Sequence, residues 1–385
     1  MEVSLLAIAL SFLRLGATAF GGPAAHIALM EDELVRRRNW LSHDEFLDLI
    51  GAANLIPGPN STEVAIHIGY KKGGLPGLVT AGICFILPAF AMVSGAAALY
   101  LTCASLPATS ALLYGLKPVI IVFVFQTLCL LARRALKTWA LRFIAIMVAA
   151  LYLLGVNVVA LLFGSGLIAA VWHFARNKEG RENQVMIALA AVSASLVAGA
   201  SWLASCTPKD LPYSSAALFL YFLKVGSVVY GSGYVLLAFL RSDLVEHYHW
   251  LTSSQILDAT AVGMITPGPV FTTATFIGYI LGGPVGGLLA TVGIFLPAFG
   301  LVALSGPLVR RMRTAQLAGQ FLDAVNAASL ALIACVLWQL GQAAFVDVPA
   351  VIIAVMGGFA LFRFRVNALW LMLGGAVFGL CAHGR

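Results

Sequence analysis

Two short elements, Pro57-Gly58-Pro59 and Pro267-Gly268-Pro269, interrupt apolar segments near their centres. Proline removes a backbone donor and breaks a helix. Irregular backbone at membrane depth survives only where it is buried in protein or lines a wet cavity. Behind the first break, Asn60-Ser61-Thr62-Glu63 reads as a helix start, with Asn60 placed to cap it and Glu63 to close a capping box. The N–H groups and dipole of such a start favour an anion. The second break continues to Thr272 and Thr273, hydroxyls again but without a carboxylate. Two broken helices at matching positions point to the central site of a transporter; a pair of structural kinks is the alternative.

Arg14 and Lys224 lie inside apolar segments, each seven residues before a glycine that ends the segment, in Gly21-Gly22-Pro23 and Gly231-Ser232-Gly233. A cation within a span is costly and calls for a function. Toward a tetrahedral oxyanion a guanidinium offers a bidentate fork and an ammonium a point charge. Snorkelling, or pairing with a carboxylate, explains each cation without a ligand. The glycines let backbone amides approach a ligand, or let helices pack closely. Glu63, beside the first break, is the carboxylate placed for proton coupling. Asp48 and Asp258 recur together and suggest a shared capping or pairing duty, while His26 and His67 read as satisfied polar or interfacial positions and not as metal ligands.

The elements that must position these residues are membrane helices. Of 385 residues 61% are hydrophobic and 10% charged, and nothing from Gly73 to Leu116 or from Ala259 to Val309 carries a charge. Each run has room for two spans of about 20 residues. The net charge of +7 lies mostly in clusters between apolar runs, at Arg133, Arg134, Lys137 and Arg142 and at Arg310, Arg311 and Arg313. Such clusters read as cytoplasmic loops, so no nucleic-acid partner is expected. There is no nucleophile elbow, HExxH, Walker loop, or haem or Fe–S spacing. These features argue against an enzyme, a cofactor or ATP coupling, and the six cysteines read as buried free thiols.

The chain is also a duplication. A shift of 210 positions superposes Phe12-Leu13-Arg14-Leu15-Gly16 on Phe222-Leu223-Lys224-Val225-Gly226, and one proline motif on the other. With one residue deleted, Gly69-Tyr70 meets Gly278-Tyr279 and Leu87-Pro88-Ala89-Phe90 meets Leu296-Pro297-Ala298-Phe299. The expected organisation is a first repeat at 1–180, a linker span at 181–211 and a second repeat at 212–385. Six crossings, one extra span at 184–206 and six more would turn the second repeat upside down. Opposite charge bias at equivalent loops agrees with inversion, for Lys71-Lys72 is basic where Gly282 is bare. Arg36-Arg37-Arg38 disagrees, falling outside in this scheme, and the span count drops if segments 43–70 and 253–280 are re-entrant hairpins. The fold class expected is therefore an all-α polytopic membrane protein with two helical repeats.

FLRLGATAFGGPAAHI, NLIPGPNSTEVAIHIGY and FILPAF, with degenerate copies in the second half, resemble the chromate ion transporter family over nearly the whole chain. The resemblance implies a two-repeat carrier of the bacterial inner membrane, exporting chromate at the expense of the proton-motive force and conferring chromate resistance. Arg14, Gly21, Gly22, Pro57, Gly58 and Pro59, with Asn60, Ser61, Thr62 and Glu63 following, match its motifs. Lys224, Gly231, Pro267, Gly268 and Pro269 form the divergent copy, so the halves should do unequal work. The expected partners are chromate or a sulfate-like oxyanion, protons and the lipid bilayer, and a homodimer is compatible with the sequence. A permease for sulfate or another oxyanion is the alternative reading.

Overall fold

The computed structural model describes residues 3–20, 22–103, 106–176, 212–230, 233–305, 316–364, 366 and 368–383. Gly21, Gly231, the stretch 184–206, the Arg310 to Arg313 cluster and Arg365 lie outside the described residues.

In the first repeat, α1 (Leu5–Thr18) starts at Ser4, whose hydroxyl accepts from the Ala7 amide, and ends where Ala19 turns extended. Pro23 opens α2 (Pro23–Met30), a position where its missing N–H is no loss, and a π-helical segment (Glu31–Arg37) continues it. A full capping box between Ser42 and Glu45 starts α3 (His43–Ala53). After the Pro-Gly-Pro loop comes α4 (Asn60–Cys103), which reverses sharply at Gly73 and at Gly74, where φ is 60° and ψ −151°. Only glycine adopts that conformation readily. The two arms fold back on each other, and a Cβ on Gly69 would collide with the Gly77 carbonyl.

The contacts of these elements place their feet together. The Val3 amide donates to the Lys72 carbonyl at 3.3 Å, Lys71 Nζ pairs with Glu45 at 2.7 Å, and His43 Nδ1 lies 3.5 Å from Glu31. The start of α1, the π-helical segment, the start of α3 and the end of the first arm of α4 therefore share one face, called here the first face. Their other ends point inward. α1 with α2, and α3 with the first arm of α4, are thus two re-entrant hairpins, not four crossings. This corrects the six-crossing scheme for each half and resolves the misfit of Arg36-Arg37-Arg38, which sit on the same side as Lys71-Lys72.

The second arm of α4, residues 75–103, runs roughly 43 Å at 1.5 Å per residue and crosses to the opposite face. α5 (Pro107–Ala135) returns, and α6 (Trp139–Leu153) and α7 (Val158–Arg176) complete the repeat.

The second repeat follows the same plan. It comprises α8 (Ser215–Val228), a 3₁₀ turn (Gly233–Val235), α9 (Leu236–Phe239), a π-helical segment (Leu240–His247) and α10 (Ser253–Ile265). A second 3₁₀ turn (Val270–Thr272) leads into α11 (Thr273–Ser305), followed by α12 (Gln316–Ala344), α13 (Val348–Phe364) and α14 (Ala368–His383). Gly283 repeats the reversal, with φ 62° and ψ −157°.

Its feet lie at the opposite face. Tyr100, near the far end of α4, donates to Asp258 at 3.2 Å. Lys117, early in α5, pairs with the same Asp258 at 3.3 Å and donates to Ser254 at 2.6 Å. At the first face, Lys137 after α5 reaches Asp323 near the start of α12, at 3.9 Å. The two repeats are therefore inverted relative to each other. Arg36 to Arg38, Lys71, Lys72, Arg133, Arg134, Lys137, Arg142 and Arg363 gather toward the first face. Among the described residues, the cations Lys117 and Arg241 of the opposite half are paired with Asp258 and Glu246.

Among the described residues four helical stretches are long and apolar enough to cross a membrane: 60–103, 108–135, 270–304 and 319–344. The side chains that remain exposed on the outer helices, such as Phe143, Ile146, Val355, Phe359 and Trp370, are large and apolar. A lipid-facing surface requires that.

Candidate functional site

The tips of the hairpins meet in the middle of the molecule. The Gly58 amide donates to the Val229 carbonyl at 2.8 Å, and the Gly268 amide to the Ala19 carbonyl at 2.9 Å. Val229 and Ala19 are equivalent in the two repeats, so each Pro-Gly-Pro loop is held by the end of the other repeat's first helix. The motif's composition follows from this geometry. The prolines cannot donate, which leaves the central N–H as the sole donor of each motif. Gly58 has φ 140° and Gly268 φ 103°, a region that side chains disfavour. Tyr230 adds a further tie between the repeats, donating from its hydroxyl to the Leu55 carbonyl at 3.3 Å.

Helix starts converge here: Pro23 of α2, Asn60 of α4, the 3₁₀ turn at Gly233 and the one at Val270. First-turn N–H groups have no partner within their own helix, and the aligned dipoles put partial positive charge at that end. His26 Nδ1 and Ser61 Oγ, 3.2 Å apart, lock the first turns of α2 and α4 together. Thr62 and Glu63 are fully buried, and Thr62 Oγ1 and both Glu63 carboxyl oxygens have no hydrogen-bond partner among the described residues. The Glu63 carboxyl lies over the proline loop: a Cβ on Gly58 would stand 2.5 Å from Oε1.

The capping box expected at Asn60 is not formed. The helix begins at Asn60 itself, which leaves Pro59 at the cap position, and the Asn60 amide group donates to Asn54 Oδ1 at 2.8 Å. Glu63 is free of that duty, with its own N–H bonded to the Pro59 carbonyl at 3.0 Å. In the second repeat the corresponding hydroxyls are satisfied locally, Thr272 donating to the Pro269 carbonyl and Thr273 to the Val270 carbonyl, both at 2.8 Å. The two tips share a backbone, but the unpartnered polar chemistry is in the first.

Arg14 and Lys224 stand below the tips, each facing an acidic residue that is also duplicated. Arg14 lies 4.0 Å from Glu33, and Lys224 3.2 Å from Asp243. Arg37 and Arg38 also face Glu33, at 3.7 and 2.8 Å, so cations outnumber the carboxylate there. The Arg14 side chain is 64% exposed against 21% for Lys224. The recurring aspartates differ in the same way, with Asp258 buried between Lys117 and Tyr100 and Asp48 on an exposed flank of α3.

Lys224→Met would strand the buried Asp243 carboxylate. It is expected to destabilise the purified protein by about 3–5 kcal/mol, seen as a lower unfolding temperature, with recovery in Lys224→Met/Asp243→Asn.

Sequence reading missed the glycine reversals, although the doublets Gly73-Gly74 and Gly282-Gly283 stand at equivalent positions just before Pro76 and Pro284. It also took His26 and His67 for satisfied polar or interfacial positions, whereas the Nε2 of each has no hydrogen-bond partner among the described residues. His67 is 6% exposed.

Inverted helical repeats with broken helices meeting at mid-depth define a multi-pass membrane protein with the build of a secondary transporter. The sequence profile of the family described as "Chromate transporter" matches residues 6–171 and 216–380. The chain belongs to that family. It is 30% identical over 377 residues to the chromate transport protein of Cupriavidus metallidurans, covering 97% of this chain and 92% of the relative. It is 31% identical over 346 residues to the chromate transport protein of Pseudomonas aeruginosa, covering 88% and 82%. The probable chromate transport protein of Synechococcus elongatus is 30% identical over 349 residues, covering 90% and 86%. No solved structure matches the chain.

Proposed function

We propose that this chain exports chromate from the cytoplasm across the bacterial inner membrane, driven by the proton-motive force, and so confers chromate resistance. Residues 1–180 and 212–385 are its two transport repeats, joined by 181–211. Family membership and the names of the relatives support the substrate. The observation that carries the reading is the meeting of the two proline loops and four helix starts at mid-depth, where a dianion finds donors and dipoles and no competing fixed cation is needed.

In this reading the oxyanion is bound by the first-turn amides at Asn60 and Ser61, by the Thr62 hydroxyl, and by Gly21, Gly22 and Gly231, in a site framed by the Pro57-Gly58-Pro59 and Pro267-Gly268-Pro269 loops, whose own amides are spent on Val229 and Ala19. Arg14 and Lys224 draw it in. The cation-rich first face is cytoplasmic by the positive-inside rule. Support for access from that face comes from the unequal burial of the hairpins: Leu47 on α3 is 48% exposed while Leu257, its equivalent on α10, is 1% exposed. The Lys117–Asp258 pair closes the opposite side.

Glu63 carries the coupling proton. A buried carboxylate and a dianion cannot share one apolar pocket without a large desolvation and repulsion cost. The anion therefore loads when Glu63 is protonated. Moving the dianion with one proton transfers a single net negative charge, which the electrical component of the proton-motive force drives outward while the proton itself moves against the pH component.

The test is uptake of labelled chromate into inverted vesicles, with and without an energised membrane and with excess sulfate as competitor. Uptake that requires energisation is expected, with Arg14→Gln reducing it at least about tenfold in vesicles of equal protein content. Absence of chromate uptake alongside energised sulfate movement would overturn the substrate assignment.

A further inference from the structure

The first arm of α4 carries Glu63, His67 and Lys71 between its polar first turn and its basic end at Lys72. Their spacing of four puts them in one stripe, about 5–6 Å between successive Cβ atoms. The stripe starts at the mid-depth tip, where the Glu63 carboxyl lies over Gly58, and ends at the first face, where Lys71 pairs with Glu45 at 2.7 Å. Between them His67 is buried with its Nε2 unpartnered among the described residues.

We propose that His67 relays the proton between the first face and Glu63, a role that rests on the coupling function assigned to Glu63 above. Water at the first face protonates one imidazole nitrogen. The other nitrogen gives its proton to a Glu63 carboxylate oxygen, and tautomer exchange resets the ring. No bond other than N–H and O–H is made or broken, and one proton is conserved at each step. The same steps in reverse discharge Glu63.

Other groups on the surrounding elements serve the stripe less well. Arg14 on α1 is permanently charged; His26 on α2, whose Nε2 is also unpartnered among the described residues, meets Ser61 on a different flank of the arm; and Tyr230, which interacts with Glu63, spends its hydroxyl on the Leu55 carbonyl. Asp44, Glu45 and Asp48 on α3 lie in its foot and exposed flank, and Cys84 and Tyr100 are the ionisable groups of the second arm nearest in sequence. Tyr279 on α11 and Asp258 on α10 belong to the opposite half. In the register that superposes Gly69 on Gly278, the second repeat places Phe276 where the first has His67. The stripe therefore exists once, and a phenylalanine fits that place in the fold.

The experiment compares two fluxes in vesicles carrying wild-type protein, His67→Phe or His67→Gln. Net uptake requires Glu63 to gain and lose its proton each cycle; exchange of labelled for unlabelled chromate at equal concentrations does not. Both variants are expected to lose about tenfold or more of net uptake, within the range that a positioned proton donor contributes, and to keep exchange. Imidazole added to His67→Ala should restore net uptake. In a Glu63→Gln background, His67→Gln should change neither flux. Unchanged net uptake in both variants overturns the relay, and so does parallel loss of exchange in both or a further loss in the Glu63→Gln background. Failure of the wild-type protein to exchange chromate would instead overturn the transport reading itself.

Discussion

Glu63→Gln is expected to abolish the pH dependence of chromate uptake and to raise by about fiftyfold the accumulation that a potential of about 100 mV sustains, one elementary charge at that potential being worth about 2.3 kcal/mol. Glutamine keeps the shape of the protonated acid and fixes it neutral. In the wild-type protein the dianion moves with one proton, so each cycle transfers one negative charge. In the variant it moves alone and transfers two. For wild-type protein, raising the pH at the first face removes the proton that loading requires, and uptake falls. For the variant there is no proton to remove, and uptake stays flat. The measurement is steady-state accumulation in inverted vesicles under imposed potassium diffusion potentials, at several external pH values. A Glu63→Gln protein whose uptake falls with pH as steeply as the wild type's would assign the coupling proton elsewhere. The variant should not destabilise the fold, because both carboxyl oxygens lack hydrogen-bond partners and an amide there breaks no existing bond.

The membrane class, the duplication and the two broken helices were legible in the sequence because each leaves a one-dimensional trace. Uncharged runs, a constant offset of 210 and a proline motif in both halves all survive without coordinates. The number of crossings was not legible. The apolar helix α1, of 14 residues, looks like a short span in a hydropathy trace, and α3 with the first arm of α4 reads as one segment at 43–70. Only the pairing of Lys71 with Glu45, and of Val3 with Lys72, shows that they return to the face they left. Arg36-Arg37-Arg38 was the one visible symptom, a cation cluster stranded by the crossing scheme.

At the site, the loop glycines and Glu63 were legible by type and position, but their partners were not. The Asn60 to Glu63 string satisfies the pattern of a capping box, yet Pro59 occupies the cap and Glu63 turns toward Gly58. A local pattern was outweighed by a contact the sequence does not encode locally, the bond from Gly58 to Val229 of the other repeat. Pairing of Arg14 and Lys224 with carboxylates was foreseen as an alternative to ligand binding. The identity of the partners, Glu33 and Asp243, becomes evident only when the offset is applied to acidic residues as well as basic ones.

Adding a methyl group to either loop glycine should separate the chemistry of the two tips. Gly58→Ala and Gly268→Ala each force a side chain into a left-handed conformation, at a cost of about 1–3 kcal/mol. The atoms met by the new methyl differ. At Gly58 it would stand 2.5 Å from Glu63 Oε1, the end of a side chain that can swing away; at Gly268 it would stand 2.7 Å from the Ala89 Cβ, which is fixed to a helix. Gly58→Ala is therefore expected to retain most of its thermal stability while losing chromate flux by about tenfold or more and shifting the pH profile, because it displaces Glu63 from the loop. Gly268→Ala is expected to lower the unfolding temperature and flux together and to leave the pH profile of the remaining flux unchanged. Flux, unfolding temperature and pH profile measured on the same preparations decide the matter. A Gly58→Ala protein with wild-type flux and pH profile would show that the loop tolerates a side chain, and would remove the first tip from the site.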